Sequence, residues 1–140
     1  MDGDWVEVGR QVIEPAALAE FVEDPATGAT VVFLGTVRDH APGRDGVSHL
    51  EYEAYAEQVE PKIIEIVAEA RSRWPLMRVA ALHRIGDLAV GEVSVGVAVS
   101  TAHRVDAFPA ARYVIDELKS RAPIWKKEHW SGGAEWVEGA

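Results

Sequence analysis

The sequence predicts an α+β fold: a mixed or antiparallel sheet with helices layered on one side, in a single domain of residues 1–140. Three observations predict it. Stretches with apolar residues at helical spacing alternate with short β-rich runs. Valine fills every odd position from Val93 to Val99, a strict period of two with small residues opposite. No repeat, low-complexity tract or linker divides the chain, and its length suits one domain with a sizeable core.

The elements follow in order. Trp5–Val8 reads as a short strand. Pro15 suits the first turn of a helix over "PAALAEFVED", where its missing N–H would be unpaired anyway. Ala29–Arg38, "ATVVFLGTVR", is a strand of branched and aromatic residues ending in "DHAPGRDG", whose Pro-Gly and Asp-Gly pairs mark a loop or hairpin. "SHLEYEAY" alternates, with Leu50, Tyr52 and Ala54 on one face and Glu51 and Glu53 on the other. Val59, Ile63, Ile66, Val67 and Ala70 recur at helical spacing between Ala56 and Trp74, closed by Pro75. "MRVAALHRIG" and "VSVGVAVST" are strands joined by the turn-rich "DLAVGE". "VDAFPAARYVIDELKS" is a helix with Pro109 expected in its first turn. Pro123 stops it, and "IWKKEHW" continues as extended chain.

Charge and composition exclude several function classes. With 14 Lys+Arg against 23 Asp+Glu the net charge is −9, which repels a phosphate backbone. Zero cysteines removes disulfides, thiolate metal sites and cysteine nucleophiles together. The five histidines show no HxH or HExxH spacing, so no metal site is expected. No apolar run reaches the length of a membrane span, and the first ten residues lack a signal peptide's pattern, so a cytoplasmic location is expected.

Against that acidic background, "LKSRAPIWKKEH" (Leu118–His129) gathers Lys119, Arg121, Lys126, Lys127 and His129. Lys119 falls in a last helical turn, where a cation also simply complements the helix dipole. Lys126 and Lys127 follow a rigid Pro123 and a large Trp125 that would hold them in place. A lysine held near other cations has its ammonium form disfavoured, which suits proton transfer or nucleophilic attack. His103 and Arg104 stand between a valine strand and a helix start, a place for a phosphate or carboxylate, or for an ordinary surface pairing of Arg104. Arg38 ends an apolar strand and enters a glycine-containing loop.

Spacing separates these groups. Sixteen residues of mostly helical chain place His103 and Lys119 roughly 24 Å apart. Either they serve different sites, or His103 and Arg104 of one protomer face Lys119 and Lys126 of another.

"GTVR", "LEYEAY", "HRIGDLAVGE", "STAHR" and "LKSRAPIWKKE" occur in the order and spacing of a known family. From about Val31 to Val137 the chain resembles the large, catalytic subunit of molybdopterin synthase, the MoaE family. The resemblance implies an α/β hammerhead-like fold and a sulfurtransferase of molybdenum-cofactor biosynthesis. Its family converts a cyclic pyranopterin monophosphate into molybdopterin by installing two sulfurs as a dithiolene. The sulfur comes from the thiocarboxylate at the C-terminal Gly-Gly of a small ubiquitin-like subunit, with no other cofactor. A homodimer of large subunits forms the core of a heterotetramer.

By the same resemblance Lys119 and Lys126 are the catalytic lysines. Arg38, His103 and Arg104 hold the pterin phosphate and orient the substrate, and Lys127 and Glu128 flank the site. Thr36 and Val37 belong to the "GxVR" motif; Thr36 stands where many relatives carry a lysine, which leaves a backbone contact there. The chain without cysteine fits an enzyme whose sulfur is delivered by a partner. "SGG" at Ser131–Gly133 is internal, so this chain accepts such a tail and does not donate one. Two other classes remain: a non-catalytic module binding a ubiquitin-like protein, and a phosphate-handling enzyme that needs no protein partner.

Overall fold

The computed structural model describes residues 3–41, 44–130 and 132–138. The expected Pro-Gly turn at Pro42–Gly43 and Ser131 of the "SGG" stretch lie outside the described residues.

Two four-stranded sheets, one two-stranded sheet and three helices make up the described fold. In chain order they are β1 (Asp4–Gly9), α1 (Pro15–Phe21), β2 (Ala29–Thr36), the short β3 (His40–Ala41) and β4 (Arg44–Asp45), β5 (Val47–Glu53), and α2 (Ala56–Arg73). Then come β6 (Val79–Arg84), β7 (Gly86–Ala89), β8 (Val93–Thr101), α3 (Arg104–Arg121), β9 (Trp125–Trp130) and β10 (Gly133–Glu138). The first sheet runs β1-β6-β8-β2, with β1 parallel to β6 and the other pairs antiparallel. The second, β10-β9-β5-β7, is antiparallel throughout.

The valine alternation explains how the layers assemble. Val95, Val97 and Val99 join Val79 and Ala81 in the main core, beneath the apolar faces of α2 and α3. Val59, Ile63, Ile66 and Val67 of α2 and Val114, Ile115 and Leu118 of α3 are buried there. Each such side chain contributes about 1.5–3 kcal/mol when removed from water. Ala80, Leu82 and Ala98 point the other way and meet Leu18 and Val22 at α1. The expected helical layer is therefore α2 and α3, while the short α1 covers the opposite face of the first sheet. Gly96 permits that contact, since a Cβ there would lie 2.6 Å from the Leu18 side chain.

Four strands go beyond the sequence expectation. "DLAVGE" contains β7, whose Leu88 is fully buried and pairs with Leu50. Gly86, at φ 97°, turns the chain out of β6 and into this second sheet. The "DHAPGRDG" segment forms the β3–β4 pairing, and "GAEWVE" forms β10 against β9. Pro109 is the sixth residue of α3, one turn later than expected, because the helix already begins at Arg104. Its missing N–H forgoes the bond to the Val105 carbonyl, on a stretch where Val105 and Phe108 are exposed.

Candidate active site

The register of β5 against β9 sets the site. Leu50 lies opposite Glu128 and Tyr52 opposite Lys126, so these four share one face. Glu51 lies opposite Lys127 on the other face. The alternation of "LEYE" and "WKKEH" thus sends Lys126 and Glu128 inward and Lys127 outward.

The inward face meets the end of β2 and the last turn of α3 around a cavity of about 270 Å³. Its lining includes Thr36, Arg38, Tyr52, Lys119, Lys126 and Glu128. Lys119 is carried there by α3, whose Leu118 is fully buried, and the helix stops at Arg121. Ala122 is extended, as a residue before proline prefers, and buried Ile124 anchors the turn into β9. A bulge completes the wall. Gly35 pairs with Val95 and Thr36 with Val93, which leaves Ser94 unmatched and turned to the cavity. Ser94 donates to the Gly35 carbonyl at 3.3 Å.

Lys126 and Glu128 carry the strongest local electrostatics. Their charged atoms are 4.0 Å apart and Glu128 is buried. Burial pushes the Lys126 pKa below the usual lysine range; Glu128 opposes that shift, and Lys119 and Arg38 add to it. Burial likewise raises the Tyr52 hydroxyl, with Ser94 opposing and Glu128 assisting. The cavity therefore offers an anion three cations, Arg38, Lys119 and Lys126, the last with its ammonium form disfavoured by burial.

Not every expected residue reaches this cavity. Val37 is buried in the strand framework, its N–H bonded to the Glu92 carbonyl and its carbonyl accepting from Gly91. Lys127 lies on the far face, 5.5 Å from the Trp136 ring centroid. His103 caps the start of α3, with its carbonyl accepting from the Thr101 hydroxyl at 2.6 Å. Together with Arg104, Val105 and Phe108 it lines a separate surface hollow. Since α3 runs from Arg104 to Arg121, its length keeps that hollow and Lys119 on opposite ends of one chain. Tyr52, Ser94 and His40 line the cavity without having been singled out in the sequence. For Tyr52 the signal was its place on the inward face of an alternating strand; for Ser94 it was a bulge that no sequence pattern announces.

A family model described as MoaE protein matches residues 8–121. The chain belongs to the MoaE family. The molybdopterin synthase catalytic subunit of Escherichia coli strain K12 is 50% identical over 121 residues, covering 86% of this chain and 78% of that protein. The crystal structure of molybdopterin synthase from Staphylococcus aureus superposes with a TM-score of 0.87 at 38% identity, covering 93% of this chain and 94% of that one. A Helicobacter pylori complex of subunits 1 and 2 of molybdopterin-converting factor shares the fold, with a TM-score of 0.76 at 20% identity over 94% of this chain and 89% of that one. No helix among the described residues of this MoaE-family chain is long and apolar enough to cross a membrane.

Proposed function

We infer that this MoaE-family chain is the catalytic subunit of a molybdopterin synthase, a sulfurtransferase acting on a cyclic pyranopterin monophosphate. The observation that carries the reading is the convergence of Arg38, Lys119 and Lys126 on one cavity, beside the buried Glu128. Two anions have to meet in such a reaction, the thiocarboxylate tail of a small ubiquitin-like subunit and the pterin phosphate. A cationic, partly desolvated cavity lowers the cost of bringing them together.

In this reading the thiocarboxylate sulfur forms a C–S bond to a side-chain carbon of the pterin in place of an oxygen group, and water then adds to the thioester carbonyl, so that the acyl C–S bond breaks through an anionic tetrahedral intermediate and the tail leaves as a carboxylate. Lys119, as an ammonium, stabilises the negative charge on tail and intermediate. Lys126, with its pKa held down, exchanges a proton at the reacting atoms. Arg38 holds the pterin phosphate, and Glu128 sets the charge on Lys126. Thr36 lines the cavity beside Arg38, where its backbone is open to a substrate contact. Lys127, on the far face, supports the strand rather than the reaction.

His103 and Arg104 complete the phosphate site from a second copy of the chain. Exposed Val105 and Phe108 beside them give that end of α3 an apolar surface suited to a homodimer contact. The working assembly is then two such chains at the centre, each with one small subunit. The chain acts as one domain over residues 1–140, in the cytoplasm, with its sulfur delivered by the partner and no resident cofactor.

The test mixes the purified chain with thiocarboxylated small subunit and cyclic pyranopterin phosphate. Dithiolene product that disappears with Lys119→Ala is expected. Tight partner binding without turnover would favour a non-catalytic binding module instead, and turnover without the partner a simple phosphate-handling enzyme.

A further inference from the structure

β2 is the last strand of its sheet, and among the described residues nothing pairs with its outer edge. The direction of its backbone groups follows from its neighbours. Ser100 of β8 donates its N–H to the Arg78 carbonyl and accepts from the Met77 N–H, so Ser100 bonds towards β6. Alternation then turns Val95, Val97, Val99 and Thr101 towards β2, opposite Gly35, Phe33, Val31 and Ala29. Thr30, Val32 and Leu34 are left with their N–H and C=O groups turned to the open edge.

This edge differs from the other three of the two large sheets. Those carry acidic residues: Asp4 and Glu7 in β1, Asp87 in β7 and Glu135 in β10. β2, "ATVVFLGT", has no charge and no proline, the features that keep an open edge from pairing with another chain. Phe33, near its middle, is 36% exposed.

Length decides what such a pairing does. At about 3.3 Å per residue β2 spans roughly 23 Å. At about 1.5 Å per residue, Arg104 to Lys119 of α3 spans roughly 22 Å. The two elements pack together, with matching ends. Ala29 lies opposite Thr101, whose hydroxyl holds the His103 carbonyl, and Thr36 lines the cavity with Lys119. A two-fold axis perpendicular to the sheet at Val32 therefore exchanges the ends and keeps both helical layers on one face.

We propose that β2 pairs antiparallel with β2 of a second copy about a two-fold axis at Val32, delivering the partner's His103 and Arg104 to the cavity. In this register Thr30 lies opposite the partner's Leu34 and Val32 opposite the partner's Val32, so all three outward residues are matched. Thr36 stays outside the pairing, its backbone free for substrate. Phe33 lies opposite the partner's Val31, which makes two aromatic–β-branched pairs across the seam and covers the exposed ring. Val105 and Phe108 of each copy then face the other's cavity end rather than each other. The assignment rests on the two-copy site proposed above and deepens it by naming the surface that builds it.

The chain has no cysteine, so introduced cysteines report the pairing. Residues opposite each other at a non-hydrogen-bonded position have Cα atoms about 4.5 Å apart, within disulfide reach. Diagonal neighbours, about 7–8 Å apart, are beyond it. Val31→Cys and Phe33→Cys copies, mixed and allowed to exchange, are expected to crosslink on mild oxidation, while neither variant does so alone. The crosslinked dimer is expected to keep the activity of its reduced form. Val105→Cys is expected not to crosslink. Val32→Pro removes an outward N–H and leaves the β8 ladder intact; it is expected to sediment as a monomer and to lose at least about tenfold in activity. A monomeric wild type would overturn the assignment, as would a mixture that does not crosslink or a crosslinked dimer inactive until reduced. Crosslinking through Val105→Cys, or by either β2 variant alone, would overturn it too. If Val32→Pro does not fold, the cysteine variants decide alone. Crosslinking is read without turnover, so a wild type that pairs through β2 but makes no product sinks the proposed function and leaves this interface standing.

Discussion

Lys126 and Glu128 sit two residues apart on the inward face of β9, their charged atoms 4.0 Å apart. Glu128 favours the ammonium that burial disfavours. Replacing it with glutamine removes that support and leaves Lys126 among cations. Glu128→Gln is therefore expected to move the alkaline limb of activity to lower pH and to cost about 1–3 kcal/mol of stability. A pH–rate profile beside a urea melt checks both.

His83 also makes stability depend on pH. Its pKa falls from 6.5 unfolded to about 4 folded, so between those values the unfolded chain binds more protons. Stability from this group is complete above pH 6.5 and is lost as pH falls towards 4, by about 3 kcal/mol in all. Urea melts across that window should show the loss in the wild type and a flatter profile in His83→Phe.

Glu69 ties α2 to α3. It accepts from Arg121 at 2.6 and 2.9 Å and from the Tyr113 hydroxyl at 2.7 Å. The Arg121 bond, then that of Tyr113, holds its carboxyl down to about 2, so its contribution is present above 4.5 and lost as pH falls towards 2. Glu69→Gln should lower Tm at neutral pH and reduce the acid sensitivity of Tm. The change in kcat should be small, since the cluster lies outside the cavity.

Leu88 is fully buried on β7, a strand where the sequence predicts a turn. Leu88→Ala should cost about 2–5 kcal/mol by chemical denaturation. A cost below about 0.5 kcal/mol, the scale of a surface change, would show that β7 is no part of the core.

Strong periodicity made much of this legible. The odd-numbered valines, the apolar stripe of α2 and the alternation in "SHLEYEAY" placed strands, helix and inward faces correctly, because side-chain spacing alone sets them. β7 and β10 were not legible: each is short, and pairing across the sheet rather than local propensity makes it a strand. The lysines of "LKSRAPIWKKEH" stood out as charge against an acidic background, and the β9 register then separated Lys126 from Lys127. Ser94 stayed hidden behind a bulge that no sequence pattern announces.

The central claim is one site built from two copies of the chain. Lys119→Ala and Arg104→Ala protomers, each inactive alone, are mixed one to one, allowed to exchange, and assayed with the small subunit. Half of the dimers are then mixed and each holds one intact site, so about a quarter of the wild-type rate should return. No recovery at any mixing ratio, with exchange verified, would contradict the shared site.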